Sequence, residues 1–402
     1  MKNKSDAVSR LFDLLQFGEF GDVNPSITDS STYTFLNPDE MTETFHGHGP
    51  GCFLYSRHWN PSNKYLSEAL AAIENTEAAW VTASGMAAIT CAILQLCNTG
   101  DHLITSITTY GGTYAFLKNY LKKFYIDVTF VNITDLKSVE EAIQPNTKLI
   151  YTESVTNPLL QISDIQALAD ISAKHNLKLM VDNTFSPLII SPVKLGADFV
   201  VYSLTKFLNG KNDCVAGAIC GSEKFIEDLS DVNSGTAMLL GPVLDPLRSS
   251  SILKNLHTLH IRIKQHSSNA LYLAQRLSEL NLKVIYPGLP SHTQHDLMKN
   301  IMNEEYGFGG MMALIVDSSK TANALMQKMQ LEQVGYLAVS LGYFKTLFSC
   351  SGISTSSEIP IEIQQQMGLS DGLIRFSVGL DPHIEDTFKR IKKCLSELKI
   401  IK

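Results

Sequence analysis

The stretch that decides the fold is residues 178–206, KLMVDNTFSPLIISPVKLGADFVVYSLTK, in which two short apolar runs each end in polar residues. The first run closes on Asp182, and the second closes on Ser203 with Lys206 three positions later. Short apolar, β-branched runs bounded by turn residues predict buried strands. In open α/β sheets, ligands bind beyond the carboxyl ends of such strands. We therefore expect Asp182 and Lys206 to lie at one edge of a buried sheet.

The same pattern continues on both sides of this segment. Apolar strands that alternate with helices predict a mostly parallel sheet that is covered on both faces, so the expected fold class is α/β. Seven strands are predicted, at 79–82, 102–106, 127–131, 149–153, 178–182, 199–203 and 216–220, and helices are predicted at 85–96, 113–123, 136–143, 165–175 and 223–228.

An irregular segment precedes this region and a smaller mixed region follows it. Residues 1–60 are rich in Gly, Ser, Thr, Asn and Pro and predict an extended arm with one short helix near 11–16. After a helical stretch at 247–280, strands and helices mix without strict alternation, which predicts a smaller α+β domain. We predict an N-terminal arm, a large domain at 61–255 and a small domain at 256–402. The small-domain strands are predicted at 283–286, 310–316, 337–340 and 373–377, and its helices at 320–329, 361–367 and 384–398.

Length and charge bound the class of protein. A chain of 402 residues is long for a single core, so more than one domain is expected. The net charge of −7 gives no reason to expect nucleic acid or an anionic membrane as a partner. No apolar run approaches the roughly 20 residues that span a bilayer, and the polar N-terminus does not resemble a signal peptide. We expect a cytoplasmic protein.

The cysteine pattern argues against a disulfide framework or a zinc ribbon. The seven cysteines are scattered and form no C-x-x-C pair. His46, His48 and Cys52 are close in sequence, but they lie in a glycine-rich loop with no fourth ligand in view. We expect no metal site.

Lys206 is the strongest candidate for chemistry. It directly follows a predicted buried strand, with the hydroxyl residues Ser203 and Thr205 beside it. Lysine is rarely buried without a task, and a desolvated lysine becomes a nucleophile toward carbonyl groups. Taken alone, the segment is more typical of a solvated lysine in a glycine-terminated loop.

Two further segments fall at the same predicted sheet edge. Asp182 could keep a pyridine-type ring nitrogen protonated, although a carboxylate there is also typical of a loop cap. Residues 82–89, TASGMAAI, predict a strand, a turn of small residues and the start of a helix. Backbone N–H groups at a helix N-terminus bind phosphate, and Gly85 lets the ligand approach closely. These segments favour a phosphorylated, ring-containing ligand.

One tyrosine and two arginines add to this set. Tyr110 precedes a Gly-Gly pair after a predicted strand and could stack on a flat ring, or simply pack at the sheet edge. Arg57 in the arm and Arg375 in the small domain could each bind a carboxylate or a phosphate. As isolated arginines, both are more typical of surface ion pairs.

Together, these segments resemble the Cys/Met-metabolism family of pyridoxal-phosphate (PLP) enzymes, which have fold type I and include methionine γ-lyases, cystathionine γ-synthases, cystathionine lyases and O-acetylhomoserine sulfhydrylases. The resemblance runs from about Gly18 to Leu395. The motifs that carry it are Tyr55-Ser56-Arg57 with Asn60-Pro61, Ser84-Gly85-Met86-Ala87, Tyr110-Gly111-Gly112-Thr113, Glu153-Ser154-Val155-Thr156-Asn157-Pro158, Val181-Asp182-Asn183, Ser203-Leu204-Thr205-Lys206, Ser340-Leu341-Gly342 and Ile374-Arg375.

The resemblance implies a role for each matched residue. Lys206 would hold PLP as a Schiff base and carry a proton between Cα and Cγ of the substrate. Asp182 would pair with the ring nitrogen, and Tyr110 would stack on the ring and act as acid at the leaving group. The implied phosphate contacts within the chain are Gly85, Met86, Ser203 and Thr205. Tyr55 and Arg57 would complete the phosphate site from a neighbouring subunit, in a homotetramer built from two active dimers. The implied contacts to the substrate carboxylate are Asn157, Ser340 and Arg375.

Departures from the family pattern leave the choice of reaction open. Phe207 stands where the family usually has Tyr, and Lys211 follows Gly210 where it has His. Residues 349–352, Ser-Cys-Ser-Gly, replace a His-Pro-Ala segment, and the Lys-Asp pair of the best-known methionine γ-lyases is missing near 235–238. Those lyases carry Cys where Gly112 lies, so we expect Gly112 to loosen the substrate pocket.

We predict γ-elimination on a sulfur amino acid, with methionine or homocysteine preferred to cystathionine. In relatives that handle cystathionine, a Glu commonly precedes the Ser of the Ser-Leu-Gly turn, and here Val339 takes that place. The alternatives are that Glu358 supplies the missing charge, that the reaction is γ-replacement on an O-acylhomoserine, as in a cystathionine γ-synthase, or that the chain is a non-catalytic relative. A complete set of Lys206, Asp182 and Tyr110 argues against the last.

Overall fold

Seven strands form the larger of two sheets, in the order β1-β7-β6-β5-β4-β2-β3. The computed structural model describes residues 6–45, 53–350 and 360–401. Strand β7 runs antiparallel to both of its neighbours, and the other pairs are parallel, so the prediction of a mostly parallel seven-stranded sheet is confirmed. The strands are β1 (Ala78–Thr82), β2 (His102–Ser106), β3 (Asp127–Val131), β4 (Thr147–Glu153), β5 (Lys178–Asp182), β6 (Phe199–Ser203) and β7 (Gly217–Gly221).

The register of the parallel strands brings the candidate residues to one edge. Glu153 at the end of β4 pairs with Asp182 at the end of β5, and Asp182 pairs with Val201 of β6. Strand β6 then ends at Ser203, just before Lys206. Because all three strands run in the same direction, their polar ends lie together where the apolar core stops.

Helices cover both faces of this sheet. Ser84 accepts a hydrogen bond from the Ala87 N–H at 3.0 Å and caps the helix predicted at 85–96, which the structure confirms. The helix predicted at 113–123 is confirmed, although it is not one regular α-helix: an α-helical turn (Gly111–Ala115), a π-helical turn (Phe116–Tyr120) and a 3₁₀-turn (Leu121–Phe124) follow one another and keep Leu117 and Leu121 buried. The helices up to residue 278 are α1 (Ala7–Asp13), α2 (Pro38–Phe45), α3 (Pro61–Glu74), α4 (Gly85–Leu96), α5 (Gly111–Ala115), α6 (Leu136–Glu141), α7 (Ile165–Lys174), α8 (Glu223–Ser230), α9 (Thr236–Leu240), α10 (Pro246–Leu256) and α11 (Leu259–Ser278), with a 3₁₀-turn at Val193–Leu195.

The N-terminal arm is tied to the large domain. Helix α1 begins at Ala7, earlier than predicted, because Asp6 accepts a hydrogen bond from the Ser9 N–H and caps it. The Arg10 side chain donates to the backbone oxygens of Ala72 at 2.6 Å and Ile73 at 2.9 Å, both at the end of α3. The start of the arm therefore packs on the core of the large domain, and α3 itself was missed by the sequence prediction.

The smaller sheet has five strands, in the order β10-β11-β12-β9-β8. The predicted strand at 337–340 is wrong beyond Leu337, because the chain turns away from the sheet and carries Ser340 to Lys206. The strand at 347–350 was not predicted, and the predicted helix at 247–280 is broken between Leu256 and Leu259. The elements are β8 (Lys283–Ile285), α12 (His295–Ile301), β9 (Met311–Ile315), α13 (Ser319–Leu331), β10 (Tyr336–Leu337), β11 (Leu347–Cys350), α14 (Ile361–Gln366), β12 (Leu373–Ser377) and α15 (Ile384–Glu397), with a 3₁₀-turn at Glu304–Tyr306.

The two sheets meet beside Lys206. Gly342 has φ +76°, and a Cβ at this position would lie 2.5 Å from the backbone nitrogen of Phe207. Its N–H donates to Ser377 Oγ of β12 at 2.9 Å. On the other side, the buried Arg262 of α11 donates to the backbone oxygens of Phe207 at 2.6 Å and Leu208 at 2.9 Å. The peptide that follows Lys206 is thus held from both directions.

No helix in the described ranges is long and apolar enough to cross a membrane. The exact boundaries of the predicted arm and of the two predicted domains, after residues 60 and 255, remain predictions.

Candidate active site

A pocket of about 460 Å³ opens at the carboxyl edge of the large sheet, next to the smaller sheet. Its volume is in the range of small-molecule sites. Most of the site residues predicted from the sequence line it, namely Gly85, Met86, Tyr110, Asn157, Asp182, Ser203, Thr205, Lys206, Val339 and Arg375, together with Ser84, Ile89, Glu153, Val155, Thr184, Phe185, Val215 and Leu341.

The amine of Lys206 is held by a side chain from the other end of the sequence. Lys206 Nζ donates to Ser340 Oγ at 3.2 Å, and Ser340 Oγ donates to Asn212 Oδ1 at 3.0 Å. Burial lowers the pKa of Lys206 to about 8, and the positive charge of Arg375 acts in the same direction. At pH 7 roughly a tenth of this lysine is therefore an uncharged nucleophile, far more than for a lysine with the ordinary pKa. Asn212 was not predicted, since nothing in the sequence links it to Ser340.

Asp182 is positioned by the residues that follow it. Asp182 Oδ1 accepts a hydrogen bond from the Thr184 N–H at 2.9 Å, and Thr184 Oγ1 accepts one from the Ser203 N–H at 2.9 Å. Burial raises the pKa of Asp182, and no ion pair to it occurs among the described residues. Asp182 is an enclosed acid that lacks a cationic partner in the described part of the chain. Thr184 is a site residue that the sequence did not predict.

A second buried acid, Glu153, organises the loops around the pocket. It accepts hydrogen bonds from the Tyr110 N–H at 2.6 Å, the Asn157 N–H at 3.0 Å and Thr109 Oγ1 at 3.1 Å. Burial and the nearby charge of Asp182 raise the pKa of Glu153 to about 8. The sequence motif contained Glu153, but its link to Tyr110 is visible only in the structure.

The other end of the pocket is built for an anion. Helix α4 begins there at Gly85. The N–H groups of Gly85 and Met86 are in its first turn, where the helix itself supplies no carbonyl acceptor, so they are suited to bind an anion. A Cβ on Gly85 would lie 2.7 Å from Ser203 Cβ, so a side chain at this position has no room. Thr205 Oγ1 accepts from the Ala216 N–H at 3.0 Å and donates to the Ala216 oxygen at 3.3 Å, so this hydroxyl also fixes the loop before β7.

Arg375 is a buried cation in the wall contributed by β12. Its Nη1 donates to Asn157 Oδ1 at 3.0 Å and its Nη2 to the Ser340 backbone oxygen at 3.4 Å. Burial lowers its pKa to about 10, and no carboxylate pairs with it in the part of the chain that the structure describes. A guanidinium that is desolvated and held only by neutral groups is suited to bind a carboxylate.

The mouth of the pocket is more open. Tyr110 is 43% exposed and precedes α5, and Val339 is 64% exposed. A Cβ on Gly112 would lie 2.7 Å from Tyr110 Cε1, so a side chain at 112 would press directly on the Tyr110 ring. Gly112 itself lies behind the tyrosine and does not line the pocket.

Tyr55 and Arg57, unlike most of the predicted site residues, do not line the pocket of their own chain. Tyr55 is 45% exposed, and the Arg57 guanidinium lies 5.6 Å from the centre of its ring. Arg57 Nη1 also donates to the Met238 backbone oxygen at 3.2 Å. Both side chains are positioned at the surface of the large domain.

No cluster of three metal-ligating side chains occurs in the described ranges. His46, His48 and Cys52, the weak candidate from the sequence, lie outside them.

Comparison with known proteins agrees with this site. The family model described as Cys/Met metabolism PLP-dependent enzyme matches residues 14–396. The chain belongs to this family. As a member, it is a PLP-dependent enzyme, and the resemblance seen in the sequence is confirmed.

Individual relatives cover almost the whole chain. A methionine γ-lyase from Arabidopsis thaliana is 43% identical over 384 residues, which is 94% of this chain and 87% of that protein. An O-succinylhomoserine sulfhydrylase from Pseudomonas aeruginosa is 35% identical, over 90% of this chain and 88% of that protein. A crystal structure described as an O-acetylhomoserine (thiol)-lyase from Campylobacter jejuni, containing a pyridoxyl-lysine monophosphate, superposes with a TM-score of 0.90 at 28% identity, over 97% of this chain and 100% of that one. The prediction of fold type I is confirmed.

The pocket fits the cofactor of this family on its own chemistry. It has an acid without a cation at Asp182, an amine with a lowered pKa at Lys206 and a helix N-terminus at Gly85. These are the complements of a protonated ring nitrogen, an aldehyde and a phosphate, respectively. The roles of the individual residues are developed as proposals below.

The first prediction concerns how the apoenzyme captures PLP. We expect the capture rate to rise with pH with a midpoint near the pKa of Lys206, about 8, because only the uncharged amine attacks an aldehyde. The measurement is the growth of visible absorbance after mixing apoenzyme with PLP, from about pH 6 to about pH 10.

Two variants test whether the charge of Arg375 contributes to the lowered pKa of Lys206. Arg375→Gln removes a neighbouring positive charge and should move the midpoint up, whereas Lys211→Ala, at an exposed lysine close in sequence, should leave it in place. A midpoint near 10.5, the ordinary lysine value, would contradict the desolvated environment.

Proposed function

We propose that the enzyme catalyses γ-elimination on L-methionine or L-homocysteine, giving 2-oxobutyrate, ammonia and a thiol. The observation that carries the proposal is a pocket with one buried guanidinium, Arg375, whose outer wall is apolar at Val215 and Val339. An amino acid with an uncharged sulfur substituent matches both features, because its carboxylate can bind the guanidinium and its sulfur substituent can pack on the apolar wall. The methionine γ-lyase of Arabidopsis supports the same reaction.

The chain contributes binding and proton transfer. Arg375 and Asn157 bind the substrate carboxylate and so fix the orientation of the Cα–H bond. Lys206, which contacts Ser340, removes the Cα proton. The loss of a second proton, at Cβ, allows the Cγ–S bond to break, and Lys206 returns a proton at Cγ. Tyr110 protonates the departing sulfur at the pocket mouth, and Asp182 holds the ring nitrogen protonated. PLP supplies the electron storage.

The second candidate is γ-replacement, in which a thiol or sulfide takes the place of the leaving group on an O-acylhomoserine. The exposure of Val339 and Tyr110 favours it, because an open mouth admits a second substrate. The relative from Pseudomonas aeruginosa is named for this type of reaction. Supplying an O-acylhomoserine with cysteine or sulfide, and assaying the thioether or homocysteine, distinguishes the two.

The second prediction tests substrate choice. We expect cystathionine to have a kcat/KM about ten- to a hundredfold below that of methionine, because its distal ammonium finds no partner at Val339 and loses roughly 1.5–3 kcal/mol. Val339→Glu should raise kcat/KM for cystathionine and lower it for methionine. The assay is release of 2-oxobutyrate and thiol from methionine, homocysteine and cystathionine.

A control variant is Val232→Glu, which adds the same charge at an exposed valine outside the pocket. If cystathionine is the best substrate of the unchanged enzyme, or if only γ-replacement is detected, the lyase assignment is wrong. Glu358, the alternative acid considered from the sequence, lies outside the described residues.

We further propose that two chains build each active site and that two such dimers form a homotetramer. Tyr55 and Arg57 lie outside their own pocket and are positioned at the surface. The arm that precedes them has large apolar side chains in solvent, with Phe20 92% and Val23 90% exposed. Such side chains are typical of a segment that is covered by a partner.

The cytoplasmic location remains a prediction.

The third prediction follows from shared sites. Arg57→Ala should weaken PLP binding by about ten- to a hundredfold, because a charge-assisted phosphate contact is lost. Mixing Arg57→Ala with Lys206→Ala chains under conditions of subunit exchange should restore some activity, because one of the two sites in a mixed dimer is intact. A fully active monomer, or mixtures as inactive as the separate variants, would rule the arrangement out.

A further inference from the structure

The loop that follows Lys206 reaches the smaller sheet's loop through one side chain, Asn212. Asn212 Oδ1 accepts a hydrogen bond from Ser340 Oγ at 3.0 Å, and Ser340 Oγ accepts one from Lys206 Nζ at 3.2 Å. Asn212 is exposed and does not line the pocket, whereas Ser340 is half-buried. Asn212 is therefore linked to the amine of Lys206 through the serine hydroxyl.

Donor and acceptor chemistry fixes the direction of both hydrogen bonds. A lysine ammonium can only donate, and an amide oxygen can only accept. The hydroxyl of Ser340 has a single hydrogen, and the contact with Asn212 Oδ1 uses it. The serine oxygen therefore presents its lone pairs to Lys206. Without the acceptor at Asn212, the same hydroxyl is free to rotate and to donate its hydrogen to the uncharged amine.

The loop that carries Asn212 is anchored close to this residue. Asn209 is fully buried, and its Nδ2 donates to Asp213 Oδ1 at 2.8 Å. Asn255 of α10 in turn donates to Asn209 Oδ1 at 2.8 Å. Asn212 itself has φ +53°, a left-handed conformation that asparagine adopts more readily than most residues. The amide therefore has a defined position although it is exposed, and a preorganised acceptor costs little to order.

The orientation of the serine hydroxyl bears on the charge of Lys206. Burial and the positive charge of Arg375 lower the pKa of Lys206, so both act against its ammonium form. The oxygen of Ser340 acts in the other direction, because an acceptor stabilises the ammonium. Lys211 and Asp213 flank Asn212 in the exposed loop. The charged and titratable groups that share the pocket with Lys206 are Arg375, Asp182, Glu153 and Tyr110.

We propose that Asn212 is a positioning residue, which holds the Ser340 hydroxyl as an acceptor for the amine of Lys206. In turnover, this arrangement stabilises Lys206 while it carries the proton that it has taken from Cα. The inference rests on the proposed role of Lys206, but not on the choice between elimination and replacement. Asn212 itself contacts neither the pocket nor the reacting atoms.

The test is the pH dependence of PLP capture by the apoenzyme, followed by visible absorbance. Asn212→Gly removes the amide, and glycine adopts the left-handed conformation without strain. We expect its midpoint to lie on the order of half a pH unit below that of the unchanged enzyme, because the freed hydroxyl donates to the uncharged amine. Asn212→Asp keeps an acceptor and adds a negative charge. Its midpoint should rise by about one unit, and by less at high salt.

Two further comparisons separate positioning from a general effect on the fold. Asn281→Gly is the matched control, because Asn281 is also exposed, has φ +61° and lies outside the pocket lining. It should leave the midpoint unchanged. Ser340→Ala should lower the midpoint by itself, and the addition of Asn212→Gly should cause no further shift, because the two residues act through one chain of hydrogen bonds.

Three outcomes would overturn the proposal. The first is a midpoint that Asn212→Gly leaves unchanged or raises, which would mean that water replaces the amide oxygen. The second is a midpoint that Asn212→Asp lowers. The third is a shift by Asn212→Gly that is equally large in the Ser340→Ala background, which would mean that Asn212 acts by another route.

Borohydride reduction and peptide mapping of the unchanged enzyme distinguish these outcomes from a failure of the proposed function. Label on a different lysine removes the role of Lys206 and, with it, the basis of the inference. Label on Lys206 together with any of the three outcomes removes only the role of Asn212.

Discussion

Replacing Lys206 by alanine is expected to abolish covalent attachment of PLP and to lower turnover by at least about 10³-fold. In the proposed mechanism, this residue supplies both the nucleophile that holds the cofactor and the base that moves the substrate proton, and general acid–base catalysis alone contributes about 10²- to 10⁴-fold. No other lysine lines the pocket in the described residues, so no neighbour can take over.

The measurement combines the visible absorbance of purified protein, product release from methionine and borohydride reduction with peptide mapping. Lys211→Ala is the matched control, because Lys211 is exposed, lies five positions away and should be neutral in all three assays. Pyridoxyl label on a different lysine in the unchanged enzyme would show that the assignment of Lys206 is wrong.

Asp182→Asn is expected to increase the stability of the apoenzyme and to decrease its affinity for PLP. Without PLP, Asp182 is an enclosed acid with a raised pKa and no cation, so the uncharged asparagine should stabilise the apoenzyme by on the order of 1 kcal/mol. In its proposed role, the carboxylate pairs with the ring nitrogen when PLP is bound. Its loss should weaken cofactor binding by about ten- to a hundredfold and turnover by more.

The pH dependence of apoenzyme stability independently checks whether ionised Asp182 destabilises the folded apoenzyme. Because the pKa of Asp182 is raised on folding, its contribution favours the folded apoenzyme below the ordinary carboxyl pKa, near about 4, and is lost as the pH rises through the raised value. The asparagine of the variant cannot titrate, so the stability of the variant should fall less steeply over this range. Urea unfolding of both apoenzymes at several pH values measures the difference.

Asp198→Asn serves as the control for this experiment. Asp198 also lies beside strand β5, but it pairs with Lys178 at 2.7 Å and accepts from the Leu179 N–H at 2.9 Å. Its replacement should destabilise the apoenzyme modestly and leave the affinity for PLP unchanged. If Asp182→Asn behaves in the same way as this control, Asp182 has only a structural role.

The sequence was most informative where a single local pattern determined the structure. The strands at 127–131, 178–182 and 199–203 were predicted to the residue, because each is a short apolar run with polar residues on both sides. Helix α4 was equally clear, because Ser84 caps it and Gly85 begins it. Since polar residues end neighbouring parallel strands, the grouping of Asp182 with Lys206 followed from the same patterns.

Features that depend on distant residues could not be predicted in this way. The contact of Lys206 with Ser340 joins positions 134 residues apart, and Asn212 acquires a role only through that serine. Strand β11 was read as part of a departure from the family motif, although it pairs with β12 and supports Arg375. Glu74 was not singled out in the sequence, because only the folded chain encloses it.

The close approach of Gly342 to the peptide after Lys206 has a consequence for heat inactivation. A Cβ at 342 would lie 2.5 Å from the Phe207 nitrogen and 2.9 Å from the carbonyl carbon of Lys206, so the loop between β10 and β11 of the smaller sheet packs directly on the backbone of Lys206. If the smaller sheet separates from the larger one, Lys206 loses the packing contact that Gly342 provides. We therefore expect cofactor release on heating to coincide with separation of the two sheets, and substitutions in the smaller sheet to shorten the time for which PLP stays bound.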